Sequence, residues 1–192
     1  MAVFAATGAH ATTFTVDAAN SSVSLTETGS GFICSLTNCG VDVSLASGLS
    51  GTSFDLDNPG DVETFDFLTF GGRGVGLNTY DIEATLAFSS PILSITSGGS
   101  GGVLVFGGSI AAGLLEWDDV PATVFLSDGS EITVDFEGGF DVFLGHSVTT
   151  TASLTLESVS PSAVPLPASG LLLLGGFGGL ALLRRRRRAA SV

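Results

Sequence analysis

Four apolar residues take every second position of one short segment, Ile82, Ala84, Leu86 and Phe88. A period of two sends successive side chains to opposite faces, so such a segment buries one face as a β-strand. The pattern recurs along the chain. Val23 and Leu25 alternate with polar residues, as do Ile132, Val134 and Phe136, and Val148, Ala152, Leu154 and Leu156 share one parity in a threonine-rich stretch. Asp128-Gly129 separates two such segments, and Asp-Gly between strands predicts a tight hairpin. Bounded by Gly, Asp, Asn and Ser, these segments predict an all-β domain of about nine or ten strands, a single antiparallel β-sandwich or jelly roll.

Residues 12–157 are enough for one domain with a buried core. Two interruptions are expected within it. Ser97–Gly102 (SGGSGG) reads as a flexible connection. Val103–Leu115 mixes apolar residues and glycine without a clear period, and fits a buried strand or a short helix. Residues 158–163 (SVSPSA) read as a polar, proline-containing linker.

Charge is segregated. All 19 acidic residues precede residue 158, and Arg73 is the one basic residue before position 184, so residues 12–163 carry a formal 1 − 19 = −18. The whole chain carries −13 and has no lysine. Such a surface repels anionic polymers, which excludes a nucleic-acid partner.

The five compensating charges are consecutive, Arg184, Arg185, Arg186, Arg187 and Arg188, and follow an uncharged apolar stretch, Ser169–Leu183. That stretch partitions into hydrocarbon as one C-terminal transmembrane helix, and the arginines stop its passage, leaving the C-terminus cytoplasmic and the body outside. Fifteen residues span about 22 Å at ~1.5 Å each, short of a bilayer core of roughly 30 Å, and Gly175, Gly176, Gly178 and Gly179 weaken the helix. The anchor is marginal, suited to temporary retention. Just before it, Pro165 and Pro167 bias Val164 and Leu166 towards an extended backbone that a protease cleft can bind. Residues 1–11 agree with export. They are small and apolar and end in Ala9-His10-Ala11, the pattern of a partial signal peptide cut before Thr12, which implies the Sec export machinery as a partner.

Val164, Pro165, Leu166, Pro167 and Ala168, followed by the apolar stretch and the arginine block, resemble the PEP-CTERM sorting signal of bacteria in its VPLPA variant. The resemblance covers residues 164–192 only. It implies an exported precursor processed by an exosortase, a membrane protease-transpeptidase, in a bacterium that makes extracellular polysaccharide. Leu166-Pro167-Ala168-Ser169-Gly170 also lies one residue from the L-P-x-T-G motif of sortase substrates, but the proline at 165 and the serine at 169 depart from that pattern.

Within the body, Cys34 and Cys39 are the only cysteines, and in an exported protein they most simply form one disulfide closing a tight turn. His146 is the one histidine after the expected cleavage point, which excludes a His-rich zinc site and leaves a single candidate for a triad base, with no nucleophile elbow around it. A carboxylate pair remains chemically available. Glu116-Trp117-Asp118-Asp119 is the best candidate: the indole could stack on a sugar while the acids bind its hydroxyls. The plainer reading is a strand end with a core tryptophan and solvated acids. No cofactor is expected. The one ion the residues suggest is calcium, on Asp55, Asp57, Asp61 and Glu63, which partly follow the D-x-[DN]-x-[DN]-G loop. Pro59 stands where an oxygen ligand belongs, and Asn58-Pro59-Gly60-Asp61 is by itself a turn between strands.

The expected protein is thus a secreted β-sandwich held at the membrane by a removable tail, destined for the cell surface or the extracellular polysaccharide. Its expected role is non-enzymatic: matrix structure, adhesion or glycan binding. The alternatives are a permanently anchored surface domain and a carboxylate glycoside hydrolase.

Overall fold

The period-two segments fold as strands of two antiparallel sheets. The computed structural model describes residues 12–139 and 147–160. Along these the elements are β1 (Thr12–Val16), β2 (Ser22–Ser30), α1 (Phe32–Thr37), β3 (Gly40–Leu45), β4 (Ser53–Leu56), β5 (Val62–Arg73), β6 (Gly76–Ser90), β7 (Ile92–Phe106), β8 (Ser109–Trp117), β9 (Ala122–Phe125), β10 (Glu131–Phe136) and β11 (Ser147–Ser158). The first sheet has the order β4-β1-β6-β7-β8, and β2 also pairs with β6. Strand β6 is long enough to take both neighbours on one edge: β2 lies along Asn78–Thr85 and β1 reaches Phe88 and Ser90. The second sheet runs β3-β5-β11-β10-β9.

One face of each sheet supplies the core, as the alternation requires. Tyr80, Ile82, Ala84, Leu86 and Phe88 are buried along β6; Ile132, Val134 and Phe136 along β10; and Val148, Ala152, Leu154 and Leu156 along β11. Val23 and Leu25 pack against this core from β2. Three aromatic contacts join the two layers: Phe54 with Phe65, Phe70 with Tyr80, and Trp117 with Phe136, at centroid distances of 5.6, 6.3 and 5.3 Å. The result is β-sandwich-like. Its Asp128-Gly129 hairpin is present between β9 and β10, with Gly129 at φ 87° and Leu126 N–H donating to Ser130 O.

Strand β5 breaks the period once. Thr150 pairs with Leu68 and Thr151 with Asp66, which leaves Phe67 as an extra residue. Such a bulge shifts parity, so the adjacent residues Phe67 and Leu68 are both fully buried.

One expectation needs correction and one is decided. Ser97–Gly102 is not a connection; it is the middle of β7, paired with β6 throughout and with β8 from Gly99 on. Its glycines admit two large rings. A Cβ at Gly99 would lie 2.5 Å from Glu116 O and 3.0 Å from Trp117 Cε3, and one at Gly101 would lie 2.6 Å from Tyr80 Oη. Val103–Leu115, left open between strand and helix, is strand on either side of a Gly107-Gly108 turn in which both φ are positive. A bulge at Ala111, between Ile110 opposite Val105 and Ala112 opposite Leu104, hides its period.

Helix α1 and the disulfide close one end of the sandwich. Cys34 and Cys39 are joined, with Asn38 between helix and β3 in the left-handed region at φ 50°. Gly74 and Gly76 lie so close beneath that a Cβ on either would strike the backbone of Cys39 or Cys34 at 2.7–2.8 Å. Ser160, the last described residue beyond β11, lies at the opposite end, where its N–H donates to Ser130 Oγ. Among the described residues no helix is long and apolar enough to cross a membrane. The expected helix at 169–183 lies outside them, as do Val164–Ala168, Arg184–Arg188, residues 1–11 and His146.

Candidate functional site

The Glu116–Asp119 segment ends β8, and a strand sends neighbouring residues to opposite faces. Trp117 turns towards the core. It is half-buried, packs edge-on against Phe136, and donates its indole N–H to Glu137 O at 3.1 Å. Glu116 projects from the outer face, exposed and opposite Ser100. Asp118 and Asp119 follow the strand, both exposed; their backbone N–H groups donate to Gly98 O and Ser97 Oγ. The fold therefore separates the indole from the nearest carboxylate, and its polar edge already has a partner. This arrangement matches the plainer reading of the segment, a core tryptophan with solvated acids. The alternation of faces was readable from the sequence once the segment was taken as a strand.

The Asp55–Glu63 loop is built as a turn. Pro59 and Gly60, at φ 92°, occupy its two central positions, and Asp61 N–H donates to Asn58 O at 3.0 Å. The Asp61 carboxylate turns back on the loop and accepts from Asp57 N–H at 3.0 Å and Asn58 N–H at 2.8 Å. These bonds, that from Asn58 first, hold its pKa below the usual carboxylate value. Asp55 is engaged elsewhere, accepting from the Thr13 hydroxyl at 2.6 Å, and Glu63 belongs to β5 opposite Leu154. Among the described residues, no three His, Cys, Asp or Glu side chains come together as a metal site.

Two features have no local signal in the sequence. Arg73, the only described cation, reaches Asp42 at 2.6 Å and Glu27 at 3.2 Å. Glu27 lies in the first sheet and Asp42 in the second, so one half-exposed guanidinium ties the layers together. Gly40, directly opposite Arg73, leaves room for it. Asn78 is the second feature: it is 1% exposed and faces the core, and among the described residues neither amide atom has a hydrogen-bond partner.

The fold thus offers a disulfide-closed, acidic β-domain with its tryptophan committed to packing. No protein-family model matches the chain, nor does any curated protein or solved structure.

Proposed function

We propose that this chain is an exported surface protein whose segment 164–192 is a removable sorting signal, with the acidic β-domain as a non-catalytic component of the cell surface or extracellular polysaccharide. The observation that carries this reading is the ordered conjunction of Val164–Ala168, the uncharged stretch 169–183 and Arg184–Arg188 behind a body of opposite charge. The disulfide supports it, because such bonds persist in oxidising compartments outside the cytosol. The placement of Trp117 and Glu116 on opposite faces supports a structural role over a sugar site that combines the two. The exosortase-type protease acts on this chain as its substrate, and the short apolar stretch favours release over permanent anchorage.

The test replaces Pro165 and Pro167 by Ala in the producing cells. The variant accumulates in membranes as a larger precursor, while the wild-type chain loses its arginine end. Equal mobility and equal membrane content of the two would overturn the proposal.

A further inference from the structure

Seven of the ten large apolar side chains exposed among the described residues gather at the end of the domain that carries α1. Three are on the helix: Phe32, Ile33 and Leu36. The others, Leu77, Leu104, Phe106 and Leu114, project from the outer face of the first sheet. Leu77 and Leu104 are cross-strand partners, and Ala112 continues their row. Gly31 N–H donates to Leu77 O, which seats the start of the helix beside that row.

Among the described residues, charge at the same end is confined to its border. Thr28–Val41, Gly74–Tyr80 and Gly101–Leu115 contain no charged residue. Acids begin farther along the outer face, at Asp81, Glu83 and Glu116. Glu27 and Asp42 border this end, and there the single described cation, Arg73, lies between them. Seven side chains that each expose about half or more of their surface amount to several hundred Å², the order of the roughly 800 Å² per partner in a stable interface. Monomers rarely leave that much apolar surface open.

We infer that two copies of this chain pack together through the α1 end and the adjoining outer face of β6, β7 and β8. A second copy suits the surface better than the other occupants. An anionic bilayer or polyanionic glycan meets a domain with one described cation, and a neutral sugar finds few donors on leucine and phenylalanine. Self-contact brings two apolar patches together and keeps Asp81, Glu83 and Glu116 of each copy at their margins. A two-fold arrangement makes one patch complementary to itself. The contact does not depend on the sorting signal.

The test places the photocrosslinking residue p-benzoylphenylalanine at Phe106 in the full-length chain within producing cells, with Phe125, exposed at the other end, as the control position. Illumination gives a covalent species of twice the mass from position 106, both halves being this chain, and little from 125. Leu77→Ser with Leu104→Ser lowers that yield about tenfold; an unchanged thermal midpoint shows that this variant is folded. Capture of lipid or another protein at 106, no capture, equal yields from both positions, or a yield indifferent to the serines would overturn the inference.

Discussion

Tyr80 stands directly opposite Gly101 across the β6–β7 ladder, and its ring fills the space that a side chain at 101 would occupy. The ring is fully buried, and its hydroxyl donates to Leu114 O at 3.3 Å. Burial raises the phenol pKa far above its usual value, so Tyr80 remains a neutral donor throughout the physiological range. A residue that sequence composition assigns to a linker is thus a packing element of the core.

Gly101→Ala forces a methyl group into Tyr80 Oη and Leu114 O, so it costs about 1–3 kcal/mol, the usual penalty of overpacking. Gly102→Ala is the internal control: its nearest contacts would be 3.6 Å away, and its cost is near zero. Denaturant midpoints of the two variants measure the difference. Equal values would mean that the strand yields freely around position 101.

Asn78 sets an opposite expectation. Replacing an unpaired buried amide by an apolar side chain of similar size removes a desolvation penalty, so Asn78→Val stabilises the domain by about 1–3 kcal/mol. The thermal midpoint rises accordingly. A fall would reveal that the amide contributes a bond worth keeping.

Asp61 has a folded pKa below the ordinary 3.8. Its contribution is therefore fully present above that value and is lost as pH falls through the folded pKa. Asp61→Asn lacks the carboxylate charge at any pH. The wild-type advantage over this variant is full near pH 7 and closes below about pH 4. Paired melting curves from neutral to acid pH provide the check, and a gap independent of pH would refute the assignment.

The faces of β6, β10 and β11 were legible because each keeps one parity throughout, and the Asp128-Gly129 hairpin because few residue pairs suit its turn. Other features depend on contacts that composition does not encode. Ser97–Gly102 has the composition of a flexible segment, yet its glycines answer to rings at 80 and 117. Phe67-Leu68 and Ile110-Ala111-Ala112 lose their period to bulges. The ion pairs of Arg73 join positions 31 and 46 residues apart, beyond any local pattern. Of the candidate sites, the disulfide was readable because only one pairing of two cysteines exists. The Glu116–Asp119 segment was readable as a strand end, whose alternation of faces sends Glu116 and Trp117 apart, but not as a sugar site.

Arg73 ends β5 with its guanidinium held between two carboxylates, and between residues 12 and 183 no other position offers a lysine or arginine. Proteases of trypsin-like preference have a single backbone bond to attack across the entire domain, and that bond follows a side chain already engaged. Amine-directed reagents find no lysine at all. A protein made this way survives in surroundings rich in such hydrolases, and its digests yield very few peptides.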